Sequence, residues 1–227
     1  MRKKIETRRD MATQKKKYTT KDRLEMLMNM HLVKECEMTA NGFPLVKPFD
    51  GWLPPRFVGF NYVNAQTSHQ CGVHFYVDDY QFERLWRSPE LYLRTLSKFR
   101  CVISTDFSLY VDMPQPMKVW NVFRNRFFAA WWQAQGLEVI PNVSWADPTS
   151  YDYCFEGLPK QSVIAINSMG ARKYNLSKYL WHKGYEEAIK RLEPTLILRY
   201  GDRMEGEDEF RSLFINNPII ERLHYGR

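Results

Sequence analysis

One local pattern recurs along the chain: a short apolar run that ends in polar residues, followed by a stretch with helical periodicity. The runs are residues 72–79 (GVHFYVDD), 101–108 (CVISTDFS), 137–147 (LEVIPNVSWAD), 162–170 (SVIAINSMG) and 195–202 (TLILRYGD), spaced about thirty residues apart. Strands alternating with helical segments are the mark of βα units around a parallel sheet. In such folds ligands collect at the carboxyl ends of the strands. Here those ends carry Asp78, Asp79, Asp106, Asn142, Asp147, Ser168 and Asp202. The sequence therefore locates a site before it says anything about chemistry.

The expected fold class is α/β, with alternating βα units and a mainly parallel sheet. About six strands fit between residues 57 and 201, whereas a full eight-stranded βα barrel takes about 250 residues. A shortened or irregular TIM-like barrel is therefore expected, with an open doubly wound sheet as the alternative. Residues 21–36 carry Leu24, Leu27, Met28 and Leu32 at helical spacing. Residues 41–55, broken by Gly42, Pro44, Pro48, Gly51, Pro54 and Pro55, read as an irregular connector. Residues 57–63 are the expected first strand. Helices are expected over 79–99 (split at Pro89), 117–135 (with Gly136 closing it), 148–157, 174–193 (stopped by Pro194) and 208–216. The division is a basic arm over 1–23, the helix and connector over 24–56, and one βα domain over 57–227.

The formal charge of +7 is unevenly placed. Residues 1–23 hold ten Lys or Arg against Glu6, Asp10 and Asp22, which accounts for all of it, and the remainder is balanced. A basic arm suits phosphate, because each neutralised phosphate releases counterions. It equally suits a solvated tail that aids solubility, and both readings stand at this point. The arm lacks the apolar core of a secretory signal, and no run reaches the roughly 18 apolar residues of a membrane span. Cys36, Cys71, Cys101 and Cys154 form no CxxC pair and read as free thiols of a reducing cytosol.

Side chains alternate faces along a strand, and one face of each run turns polar toward its end. His74, Tyr76 and Asp78 share a face, as do Ser104, Asp106 and Ser108, and Glu138, Asn142 and Ser144. A cavity lined by these residues is expected, covered elsewhere by the long helices. Asp78, Asp106 and Asp147 form a candidate oxygen-ligand set for Mg²⁺ or Mn²⁺, which would suit phosphoester chemistry. Acids after strands are also ordinary helix caps. Arg199, inside a strand, needs a partner, with Asp78, Asp106 and Glu138 as the candidates. With His74, the only histidine inside a strand, Asp78, Asp106 and Arg199 make up the candidate catalytic set. Candidate ligand contacts are Asn61, Tyr76, Ser104, Asn142, Ser144, Asn167, Ser168, Arg172 and Lys173. The small residues and two bases after residue 167 suit a phosphate-bearing ligand. The aromatic stripe Trp120, Phe123, Phe127, Phe128, Trp131 and Trp132 is expected to be core, with one of Arg124 and Arg126 pointing outward.

Through GVHFYVDDYQFERLW, CVISTDFSLYVDMP, RNRFFAAWWQAQG, EVIPNVSWAD and CFEGLPK, the chain resembles the domain-of-unknown-function family numbered 4417, seen mainly in proteins of bacteriophages and bacterial mobile elements. The resemblance spans roughly residues 49–202. It carries no activity, ligand or catalytic residue with it, and implies a cytoplasmic protein working around mobile DNA. The functional expectation is a protein that binds a nucleotide or nucleic acid in an acidic strand-end pocket, extended to metal-dependent phosphoester hydrolysis. One alternative is a non-catalytic binding or inhibitor protein acting on a host factor or small ligand. Another is a carbohydrate-active enzyme with paired carboxylates amid aromatic platforms.

Overall fold

The computed structural model of the protein describes residues 19–205 and 212–215. Most of the basic arm, residues 1–18, lies outside them. Its end does not: Thr19 caps helix α1 (Thr20–Leu27) in a reciprocal capping box with Asp22. The expected first helix is thus two pieces, α1 and α2 (Met30–Val33), broken at Asn29, which adopts φ 54°.

Seven short strands appear among the described residues: β1 (Phe57–Gly59), β2 (Gly72–His74), β3 (Cys101–Ile103), β4 (Val139–Ile140), β5 (Val163–Asn167), β6 (Leu196–Tyr200) and β7 (Ser212–Ile215). They make two parallel sheets in chain order, β1-β2-β3-β4 and β5-β6-β7, linked by a parallel bridge between Asn142 and Ala165. Helices α3 (Asp79–Phe82), α4 (Arg84–Arg87), α5 (Pro89–Leu96), α6 (Gln115–Ala134), α7 (Tyr151–Cys154) and α8 (Asn175–Leu192) fill the connections. The protein is thus mixed α/β with parallel sheets. A doubly wound sheet reverses its strand order at a switch point; neither sheet does so.

Two expectations change. Residues 60–65 are a 3₁₀ helix rather than the end of a strand. Phe60 and Val63 are both buried, so their spacing of three serves a helical turn. Residues 212–215, expected within a helix, form β7 against β6. A three-residue apolar run does not distinguish the two states by periodicity.

Alternation along the strands separates three cores. The outward faces of β2–β4 (Val73, Val102, Val139) pack on Phe127, Phe128, Trp131 and Trp132 of α6. Ile164, Ile166 and Ile197 pack on Trp181, Tyr185 and Ala188 of α8. The inward faces of both sheets share a third cluster that includes Phe57, Tyr76, Ile103, Ile140, Ala165, Leu198 and Tyr200.

Both arginines of α6 are buried, contrary to the expectation that one faces solvent. Burial is tolerated because each has acceptors. Arg124 donates to Glu83 at 2.9 and 2.8 Å with its guanidinium 3.6 Å from the Phe107 ring centroid. Arg126 donates to the carbonyls of Glu156 and Cys154. The four cysteines are free thiols, and burial pushes Cys101 and Cys154 up to about 12.

Candidate functional site

At the carboxyl ends of β3, β4 and β5 a cleft of about 340 Å³ opens, walled by residues 108–111 and 143–146, by Asn167 and residues 169–171, and by Ser177, Leu180 and Trp181 of α8. Asp106 lies in its wall, half-buried.

The carboxylate is held by two carboxamides. Asn142 Nδ2 donates to Asp106 Oδ1 at 2.8 Å, and Asn167 Nδ2 reaches Oδ2 at 3.4 Å. Asn142 is fixed in turn: its Oδ1 accepts from the Tyr76 hydroxyl at 2.9 Å, and its backbone N–H donates to Ser104 Oγ at 2.8 Å. Tyr76 lies against Tyr200 and His74, with ring centroids 4.7 and 5.6 Å away. A polar chain therefore runs from the inward core to the cleft through Tyr76, Asn142 and Asp106. Burial raises Asp106 from 3.8 to about 6, against the lowering effect of its two carboxamide donors and with a smaller push from Asp79. Burial also lowers His74 to about 4, so it is neutral at physiological pH; its Nδ1 accepts from the Tyr76 N–H.

The strand-end loops are shaped by α6. Asn125 accepts from the Thr105 hydroxyl and the Phe107 N–H, both at 2.9 Å, and Asn121 Nδ2 donates to the Ser108 carbonyl at 2.8 Å. Buried Lys118 donates to the Val111 carbonyl at 2.8 Å and to Asp147 at 3.1 Å, tying two cleft walls together from behind. Asp79 accepts from the N–H and hydroxyl of Ser108. The α6 supports Lys118, Asn121 and Asn125 were not singled out in the sequence. The available signal was the set of polar residues 118, 121 and 125 at helical spacing inside an aromatic helix.

The structure brings Asp106, Asn142, Ser144, Asn167, Tyr76 and Ser104 to one region, with His74 behind them against Tyr76, and leaves Asp78, Asp147, Asn61, Arg172, Lys173 and Arg199 outside that group. Asp78 is exposed at the start of α3 without a side-chain cap bond. Asp147 caps the 3₁₀ turn Pro148–Ser150 and pairs with Lys118; burial pushes its carboxyl up, but hydrogen bonds from Thr149 and Lys118 prevail and hold it low. Asp78, Asp106 and Asp147 are therefore not gathered, and among the described residues no three His, Cys, Asp or Glu cluster to hold a metal. Asn61 is exposed in the turn after β1. Ser168 is buried and its hydroxyl donates to the Asp202 carbonyl at 2.7 Å. Arg172 is exposed and ion-paired to Asp202, while Lys173 lies over the Tyr174 ring at 5.2 Å.

Arg199 does not line the cleft. It is buried beside the rings of Trp181, Tyr185 and Phe214 at 5.6, 5.5 and 5.9 Å. Asp106, one expected partner, is occupied by the two carboxamides, and the other two, Asp78 and Glu138, are at the surface.

Fold and cleft together define a parallel α/β protein with a polar strand-end cleft built around one carboxylate. The chain belongs to the family described as Domain of unknown function (DUF4417), whose model matches residues 37–217. It is 42% identical over 185 residues to the Gene 1 protein of Mycobacterium phage L5, covering 80% of this chain and 80% of that protein. It is 43% identical over 150 residues to the Gene 1 protein of Mycobacterium phage D29, covering 66% of this chain and 54% of that protein. No solved structure matches it. No helix among the described residues is long and apolar enough to cross a membrane.

Proposed function

We propose that this is a phage protein that binds a nucleotide or nucleic-acid fragment in the strand-end cleft, with the basic N-terminal residues adding sequence-independent phosphate contacts. The observation that carries the reading is Asp106, half-buried in the cleft wall and oriented by Asn142 and Asn167. A carboxylate so held accepts hydrogen bonds from amine or imino donors, which nucleobases present on their pairing edges. Asn167, Ser144 and Ser108 supply further polar edges, and Trp145 an apolar wall. The two sheets, sharing one inward core and wound in chain order, are read as wall segments of a shortened TIM-like barrel.

The hydrolase extension loses its motivation, because Asp78 is exposed at the start of α3, Asp147 is paired with Lys118, and Asp106 is the one carboxylate of the three that lines the cleft. The reading is tested by thermal denaturation against a panel of nucleoside monophosphates and short oligonucleotides. Saturable stabilisation by at least one, abolished in Asp106→Ala, is expected. A panel that leaves the melting temperature unmoved at millimolar ligand sinks the reading.

A further inference from the structure

The rim of the cleft carries features that its interior does not explain. From Ser168 to Tyr185 the chain has four Lys or Arg and no Asp or Glu. This segment forms one wall of the cleft through Met169, Gly170, Ala171, Ser177, Leu180 and Trp181. Two of its cations are already paired, Arg172 with Asp202 and Lys183 with Glu186. Lys173 and Lys178 are exposed and make no ion pair among the described residues. Lys178, however, lines a separate recess with Arg172, His182, Met204 and Glu205. That leaves Lys173, two residues beyond the lining residue Ala171, as the cation beside the cleft. Aromatic surface stands beside these charges: Tyr174, next to Lys173, is 61% exposed, and Tyr110, on the facing loop and lining the cleft, is 62% exposed. The facing loop also carries exposed Asp112, so the cationic side of the rim is the α8 side alone.

Building on the nucleotide reading above, we propose that the occupant is a single-stranded polynucleotide that inserts one unpaired base into the cleft. The backbone follows Lys173, and neighbouring bases lie on Tyr110 and Tyr174. Three physical points converge. An unpaired cation attracts a polyanion, and cations set among exposed aromatic rings are how single strands are held without regard to sequence. The cleft, about 340 Å³, sits at the low end of the roughly 300–1,000 Å³ of small-molecule sites, suited to one base with its sugar. Asp106 is recessed, so it meets a base edge only when that edge is unpaired and the base has left its stack.

The test is fluorescence anisotropy with the full-length protein, a labelled oligonucleotide as single strand, and the same sequence as duplex. The single strand is expected to bind at least tenfold more tightly than the duplex at equal salt. Tyr110→Ala should weaken single-strand binding by about tenfold or more through lost stacking. Lys173→Ala should reduce the slope of log K against log salt by about 0.7, the contribution of one phosphate contact on a single strand, whereas Lys178→Ala, in the separate recess, should leave it unchanged. These residues are exposed, so the variants should keep the wild-type melting temperature. If single strand and duplex bind alike and both Tyr110→Ala and Lys173→Ala are silent, binding comes from charge elsewhere and the proposal is overturned. If mononucleotides stabilise the protein but the oligonucleotide binds no more tightly than they do, the single-strand proposal falls and the nucleotide reading stands. If neither binds, both fall.

Discussion

The Tyr76 hydroxyl donates to Asn142 Oδ1 at 2.9 Å, joining the end of β2 to the segment after β4 across 66 residues of sequence. That bond turns the other end of the carboxamide toward the cleft, where its Nδ2 meets Asp106. The Thr105 carbonyl, which accepts from the same Nδ2 at 3.3 Å, supports that orientation. Tyr76→Phe removes the donor while keeping the ring against Tyr200. The buried Asn142 oxygen then loses a partner, which costs about 1–3 kcal/mol. Urea denaturation should show the loss. Asn142→Ala, which removes the orphaned acceptor as well, should not add the full effect of Tyr76→Phe on top of its own.

Stability against pH follows from two groups that act in opposite senses. The carboxyl of Asp106 is raised from 3.8 to about 6, so its contribution is fully present below about 3.8 and is lost as pH rises through about 6. The imidazole of His74 is lowered from 6.5 to about 4, so its contribution is present above 6.5 and is lost as pH falls through about 4. Each is worth on the order of 3 kcal/mol. The wild-type curve should therefore be nearly flat between about pH 4 and 6.5. Asp106→Asn should expose a steady loss of stability on acidification, and His74→Gln a gain. Flat curves in both variants would disprove the two displacements.

Gly184 sits under Trp145 so closely that a Cβ there would fall on the indole ring. Its backbone has no unusual φ, so the requirement is one of space. Gly184→Ala should force Trp145 out of the cleft wall and cost about 1–3 kcal/mol as overpacking. Tryptophan fluorescence and the melting temperature should change together. Trp145→Ala in the same background should recover part of the loss.

Arg199→Met keeps the length of the side chain and removes the cation from beside Trp181, Tyr185 and Phe214. A desolvated cation–π contact is worth about 2 kcal/mol or more, and a loss of that order is expected in chemical denaturation. A more stable Arg199→Met protein would mean that the cost of burying the charge outweighs its contacts.

Much of the architecture was legible in the chain. The alternation of apolar runs with helical stretches fixed the parallel βα order, Gly136 closed α6 with φ +85°, and Pro89 opened α5. These are local properties, set by side-chain periodicity and backbone freedom within a few residues. The sequence also put Asp106, Asn142 and Asn167 at or just beyond strand ends, and the structure joins them beside one cleft.

What it could not decide was which polar residues meet. Face alternation holds only while a strand lasts, and β3 ends at Ile103. Beyond that point Asp106 is aimed by Asn142, and the loop that carries it by Asn125 and Asn121, through contacts spanning 13 to 36 residues of chain. The same limit explains Asp78, which follows a three-residue strand and emerges at the surface. It also explains Asp147, whose charge is taken by Lys118 from another element. Periodicity tells a residue which way its own backbone points. The partner that waits there is set by packing between elements distant in sequence, and only the tertiary structure decided it.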